Sequence, residues 1–259
     1  MQWRGPYSVL AKICVNDYRI DVQGKVKTFH ANLLKNTNLI EHTIPVTTDD
    51  PIRSKPYPLA HSMRKVVTEE VQTMLKMGIV ERSSSPYASP IVLVRKRDGT
   101  NRFCVDFRKL NKVTMYDPEP IPNQEELMVK ISKGRFFSKL DLTKGYWQIP
   151  VAKTDRPKTA FVTHDGLYQF KVMPFGIINA SAVFTRMMRR LLEGIPNVVN
   201  YIDDVLIYTE NWGDHLSAVE GVLDRIRRAG LTVRPTKCFF GYASLDFLGH
   251  LVGEGVTQP

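Results

Sequence analysis

The run Tyr201-Ile202-Asp203-Asp204 constrains this chain more than any other stretch, because two adjacent carboxylates stand between the apolar runs Val198-Val199 and Val205-Leu206-Ile207-Tyr208. Short β-branched and aromatic runs favour strands, and Asp-Asp between them is compatible with a tight hairpin turn carrying both carboxylates at its tip. Like charges held that close raise each other's pKa and require a cation, or several donors, to offset them. Hard divalent cations take carboxylate oxygens, and magnesium is usually held by one or two carboxylates together with substrate phosphates. An acidic hairpin tip therefore suggests phosphoryl transfer. Taken alone, Asp-Asp is explained more simply as a solvated turn, where Asp is common, so the surrounding chain has to decide.

The 259 residues, 43% of them hydrophobic, suffice for one large domain or a medium one with a small appendage. No apolar run approaches a membrane span, and Met1-Gln2-Trp3-Arg4-Gly5 lacks the basic-then-apolar plan of a signal peptide. The expectation is an intracellular protein without a membrane partner, in a cytoplasmic particle or the nucleus alike. Cys14, Cys104 and Cys238 are widely separated, odd in number and form no CxxC or Cys/His cluster, so neither a disulfide framework nor a zinc site is indicated and ordinary, mostly buried thiols are expected. The net charge of +10, spread along the chain, points to a polyanionic partner.

In chain order, Tyr7 to Val15, Tyr18 to Val22 and Val26 to His30 read as short strands, too few for an independent core. Pro45, Pro51, Pro56 and Pro58 mark 37–60 as an extended linker. Apolar residues at helical spacing over 61–77, ended by Gly78, predict a scaffold helix. Ile91 to Val94 and Arg102 to Phe107 read as strands joined by a basic tip, where Lys96, Arg97 and Arg102 could grip a triphosphate or simply guard a solvated edge. A helix is expected near Gln124 to Ile131, and then a strand Phe136 to Asp141 ending in an acid that could meet a second acidic turn or cap the helix after it. A strand over Gly166 to Val172 turns at Met173-Pro174-Phe175-Gly176 into a helix from about Asn179, with Arg186, Arg189 and Arg190 facing outward or toward a partner. After the acidic hairpin, Asp214 is expected to cap a long helix that buries Leu216, Val219, Val222, Leu223 and Ile226 and stops at Gly230. Phe247 to Val252 reads as a short hairpin.

Ser85 to Val94, Arg102 to Asn111, Leu140 to Pro150, Met173 to Gly176 and Tyr201 to Asp204 together resemble, in sequence, order and spacing, the fingers and palm of reverse transcriptases of gypsy-like long-terminal-repeat retrotransposons. The likeness runs over about residues 45–259. In addition, Trp3-Arg4-Gly5-Pro6-Tyr7 and His30 to Lys35 resemble the later part of the small C-terminal barrel of retrotransposon integrases, which makes 1–36 a partial barrel segment, 37–60 a linker and 61–259 the polymerase region. The fold implied is α+β, an antiparallel palm sheet backed by helices, with a small β-rich segment before it.

The resemblance implies an RNA-directed DNA polymerase that extends a primer on an RNA or DNA template with deoxynucleoside triphosphates, using two Mg2+ ions or Mn2+ in their place. Asp141 and Asp203 would bridge the metals, Asp204 would assist, and the backbone oxygen of Leu142 could complete a shell. Lys96 and Arg102 would hold the triphosphate, Tyr146 would lie under the sugar and reject a 2′-hydroxyl, and Phe175 would line the nucleotide pocket. Lys237 resembles the lysine proposed to protonate leaving pyrophosphate, and Phe247, Leu248, Gly249 and His250 resemble the primer grip. Two positions depart from the family pattern: Ser181 stands where relatives usually have Pro, and Thr185 where they have Gln. The chain ends at Pro259 before any thumb, from which low processivity is expected. A silent, nucleic-acid-binding retrotransposon fragment is the alternative; a template-independent nucleotidyltransferase shares the metal logic but not the motif order.

Overall fold

A computed structural model describes the chain apart from residues 1–8, 15–16, 23–24, 31–35, 96–98, 100, 121, 143, 254–255 and 259. In chain order the strands β1 (Val9–Cys14), β2 (Asp17–Val22) and β3 (Lys25–His30) are followed by helix α1 (His61–Lys76) and strands β4 (Val80–Arg82), β5 (Ser89–Arg95) and β6 (Asn101–Val105). Then come α2 (Arg108–Val113), α3 (Gln124–Ile131), β7 (Phe136–Asp141), β8 (Phe161–Thr163), β9 (Gly166–Phe170) and α4 (Ala180–Leu192). The chain closes with β10 (Val198–Tyr201), β11 (Asp204–Thr209), α5 (Trp212–Arg228), β12 (Phe239–Tyr242), β13 (Ser244–Phe247), β14 (His250–Gly253) and β15 (Val256–Gln258).

Two compact units divide these elements, one comprising Met1–Lys35, Glu119–Gly145 and Phe184–Pro259, the other Asn36–Pro118 and Tyr146–Val183. In the first, β10-β11-β7-β12 form an antiparallel sheet. Side chains alternate along its strands, so Phe137 on β7, Leu206 on β11 and Val199 on β10 share one face and pack with Leu127 and Ile131 of α3 and with Leu245, Phe247 and Val252. Helix α5 lies against β7 and β11. A second small sheet, β13-β14-β15, follows, and β1-β2-β3 form an antiparallel sheet of their own. The residues 3–7 and 31–35 on which the integrase likeness rests lie outside the described residues.

The other unit carries a mixed sheet of order β4-β9-β8-β5-β6, in which β5 runs parallel to β8. Its centre is aromatic: Phe161 stacks on Tyr168 at 5.8 Å and meets Phe170 at 5.2 Å and Phe103 at 5.6 Å. α1 buries Val67, Val71 and Met74 and ends at Gly78, whose φ of +69° suits glycine.

Residues 37–60 differ from the expected linker. Thr37 and His42 donate backbone N–H bonds to Gln148 and Pro150 at 2.7 and 2.8 Å, Thr47 to Val113 at 2.8 Å, and a short parallel bridge of Arg53 with Ala88 is closed by the Ser54 N–H on Ala88 O at 2.8 Å and the Ala88 N–H on Ile52 O at 2.9 Å. Ile44 is fully buried, its N–H on Asp155 Oδ2 at 3.1 Å. The prolines forbid a helix but not an extended strap, and a strap that satisfies its backbone on neighbours is part of the unit. Two further corrections concern helix ends and surfaces. Asn211, not Asp214, caps α5, accepting the N–H of Asp214 at 2.9 Å. Arg186, expected to face outward or toward a partner, is half-buried, and it and the exposed Arg189 both close on Glu119, at 3.0 and 2.7 Å.

Candidate active site

The end of β7 and the start of β11 bring the acids together. Asp141 and Asp204 are directly paired across the antiparallel ladder, so their side chains leave the same face of the sheet. Tyr201 pairs with Asp204, which leaves Ile202 and Asp203 alone in the two-residue turn, Ile202 at φ +52°. Of the two carboxylates expected at the tip, Asp203 is the exposed one there, while Asp204 already belongs to the ladder. Burial pushes the Asp141 carboxyl above its ordinary range; the ammonium of Lys237 opposes this, and the charges of Asp203 and Asp204 add to it.

Two lysines answer the three acids. Lys139, two residues before Asp141 on the same face of β7, places Nζ 3.2 Å from Asp204 Oδ2 and 5.8 Å from the centroid of the Phe247 ring. Lys237, in the single turn Pro235–Lys237, stands 3.7 Å from Asp141 Oδ2. That turn is tied to the strand end by the Arg234 N–H on Asp141 O at 2.8 Å and by a bridge between Leu142 and Val233. Cys238 beside it is an inert thiol, pushed up to about 11 by burial. Among the described residues, no three His, Cys, Asp or Glu side chains are gathered closely enough to form a cation shell as they stand.

The residues expected on the nucleotide side lie in the other unit. Tyr146, in the short turn Gly145–Gln148, stacks on Phe175 with ring centroids 5.1 Å apart and 27° between planes, and its hydroxyl lies 2.9 Å from Ser181 Oγ. Phe175 is exposed on a turn pinned from behind: Asn111 Nδ2 donates to Gly176 O at 2.8 Å and its Oδ1 accepts the Ile178 N–H at 3.0 Å. Arg102 is exposed on β6 opposite Val94. Lys96, the other expected triphosphate ligand, lies outside the described residues.

Of the expected grip residues, Phe247 is fully buried, Leu248 and Gly249 form a left-handed turn at φ +53° and +82°, and His250 pairs with Phe247 across it. Sequence reasoning missed Lys139, although its period-two spacing from Asp141 placed both on one strand face. It also assigned no role to Asp106, whose carboxylate takes two short bonds from Arg108, at 2.8 and 2.7 Å, and a third from the Tyr57 hydroxyl at 2.9 Å. Those bonds hold the Asp106 carboxyl well below the usual range and leave the Arg108 guanidinium fixed at the surface.

Residues 94–252 match the family described as reverse transcriptase (RNA-dependent DNA polymerase). The chain is 35% identical over 272 residues to the retrovirus-related Pol polyprotein from transposon 297 of Drosophila melanogaster, covering 96% of the chain and 26% of that polyprotein. To the corresponding polyprotein of transposon gypsy from the same organism it is 37% identical over 225 residues, covering 83% and 22%. The chain thus spans about a quarter of the length of these curated relatives. The structure of the foamy viral protease-reverse transcriptase in complex with an RNA/DNA hybrid aligns with a TM-score of 0.79 at 25% identity, covering 86% of this chain and 30% of that one. The native prototype foamy virus protease-reverse transcriptase aligns at 0.73 and 26%, covering 84% and 29%. The ordered motifs, the acidic turn set against β7 and these likenesses lead to one assignment: the chain belongs to the reverse transcriptase family, in the gypsy-like branch of long-terminal-repeat retrotransposons.

Proposed function

We propose that this chain is the polymerising part of a retrotransposon polyprotein and adds deoxynucleotides to a primer 3′-hydroxyl on an RNA or DNA template. The observation that carries this is the pairing of Asp141 with Asp204 across β7 and β11, with Asp203 in the adjoining turn and Lys237 on Asp141. In the reaction the 3′-oxygen attacks the α-phosphorus, the bond to the β-phosphate breaks, and pyrophosphate leaves. Asp141 and Asp203 would hold divalent cations, with Asp204 and the Leu142 carbonyl nearby; the donors are hard oxygens, and a cation would offset the burial and, after it, the neighbouring carboxylate charges that raise Asp141. Magnesium or manganese bound there supplies positive charge that activates the hydroxyl and offsets charge on the leaving phosphates. Lys237 Nζ would give a proton to the pyrophosphate. Arg102 and Lys96 would grip the triphosphate, Tyr146 would test the sugar and Phe175 would pack on the nucleotide. The Phe247 to His250 turn would steady the primer end. The first 36 residues would be an integrase-derived segment of the same polyprotein; the 96% coverage against transposon 297 takes in most of them.

Primer extension tests this on the chain and on a longer piece of its polyprotein. Asp203→Asn is expected to remove nucleotide addition by at least about 100-fold while sparing template-primer binding, because carboxylates that act on the reacting phosphate do not hold the duplex. Wild-type protein that binds template-primer yet adds nothing with either magnesium or manganese would instead be a silent nucleic-acid-binding fragment.

A further inference from the structure

Lys139 and Lys237 both face the carboxylates, but on unequal terms. Lys139 and Asp204 are 3.2 Å apart with side chains only 20% and 27% exposed, whereas Lys237 and Asp141 are 3.7 Å apart with Lys237 56% exposed. A shorter, more sheltered pair is less screened and harder to separate. The Lys139 ammonium also lies over the ring of Phe247, which is itself fully buried in the core, so both attractions hold the lysine inward. Asp204 faces Asp141 directly, yet its Oδ2 meets the lysine diagonally across the ladder, opposite Leu206.

We propose that Lys139 is a positioning residue that keeps Asp204 as its ion-pair partner and out of the cation shell, so that an arriving divalent cation displaces the loose Lys237 and is held by Asp141 and Asp203. This rests on the carboxylate site proposed above. It gives Asp204 a role distinct from that of its neighbour: Asp204 anchors the sheltered lysine, and the lysine keeps a third negative charge from overloading the site. A lysine that merely balanced charge would affect cation binding equally whether or not Asp204 were present.

Mn2+ binding to the full chain, without nucleotide or template, reads this directly by electron paramagnetic resonance. Lys139→Met keeps most of the apolar stem and removes the charge; it is expected to tighten Mn2+ binding by about tenfold, since a half-buried like charge is gone and Asp204 is freed. Most of that gain should vanish in Lys139→Met combined with Asp204→Asn, and Lys139→Arg should restore wild-type affinity. Lys139→Gln serves in the same comparison where the methionine variant fails to fold. An unchanged affinity in the neutral variants, or a gain of the same size with Asp204→Asn, overturns the role of Lys139. Asp141→Asn separates the two levels: if it loses Mn2+ while Lys139→Met behaves as wild type, the carboxylate site stands and only the lysine's role falls. If Asp141→Asn binds as wild type does, the site itself is wrong and the proposal falls with it.

Discussion

The hydroxyl of Tyr146 has a partner that a proline could not supply. Ser181 Oγ stands 2.9 Å from it while the ring lies on Phe175, so the tyrosine is fixed at its tip and along one face. If the ring discriminates against a 2′-hydroxyl by occupying space, a fixed ring discriminates better than one free to swing. Ser181→Ala is therefore expected to lower the deoxy-to-ribonucleotide ratio of kcat/KM by about 2- to 10-fold, the equivalent of a typical net hydrogen bond. Tyr146→Phe should do the same, and the two changes together no more than either alone, measured by single-nucleotide incorporation. Tyr146→Ala should go further and admit ribonucleotides with deoxynucleotide chemistry comparatively intact. Equal loss with both sugars would make Tyr146 a packing residue.

Among the elements, β12 shows how a local irregularity is held in place. Phe239 pairs with Lys139 and Tyr242 with Phe137, one residue more on β12 than on β7, which is a bulge. The N–H of Gly241, released from the ladder, donates to Ser138 Oγ at 3.0 Å. Ser138 in turn meets His215 Nε2 at 2.7 Å, and His215 Nδ1 meets Thr209 Oγ1 at 3.0 Å, whose hydroxyl donates to Asn211 O at 3.0 Å. Counting donors leaves one consistent direction: the imidazole carries its proton on Nδ1, and the Ser138 hydroxyl donates to Nε2. The chain joins β12, β7, β11 and α5. Ser138→Ala would leave the buried Gly241 N–H without its acceptor and His215 Nε2 without its donor, an expected loss of about 2–4 kcal/mol. Urea unfolding at neutral pH would show it as a fall in midpoint with the slope unchanged. None of this network was visible beforehand, because His215 sits between apolar residues of a periodic pattern and its partners come from distant strands. The α5 face was legible only in part: Val222 and Ile226 are buried as expected, but His215 and Ala218 are too, while Leu216, Val219 and Leu223 are half-covered. The strands of the acidic hairpin, β7 and α1 announced themselves by period and flanking turns, since short-range pattern and burial agree there. The 37–60 strap did not, because prolines signal absence of helix and say nothing of what an extended segment packs against.

Across the whole molecule, each compact unit buries a neutral histidine, His215 in one and His42 in the other, 1% and 0% exposed. Burial lowers both from 6.5 to about 4; for His42 the charges of Asp155 and Asp117 oppose the shift without reversing it. Asp155 is itself engaged, by Lys158 Nζ at 2.6 Å and by the N–H of Ile44. Neither ring nitrogen of His42 has a hydrogen-bond partner among the described residues. The sign follows from proton counts: below 6.5 the unfolded chain binds protons at these positions that the folded chain refuses until about 4, so stability is intact above 6.5 and declines as pH falls through that window. Each histidine accounts for roughly 3 kcal/mol over the full window, a large share of an ordinary domain's stability. Asp141 works the other way, because its raised pKa makes protonation favour the fold, and Asp106, held low, yields only below the ordinary carboxylate range. Among the described residues, acid sensitivity between 6.5 and 4 is thus assigned to these two histidines. His42→Leu removes a desolvated imidazole without stranding a partner, so at neutral pH it should change stability by no more than about 1 kcal/mol. Its unfolding free energy, followed by urea titration from neutral pH to 4.5, should decline with a slope shallower by up to about 1.4 kcal/mol per pH unit, the work of one proton. A variant that keeps the full wild-type slope would mean that His42 is already charged when folded and that the acidic groups around it outweigh its burial.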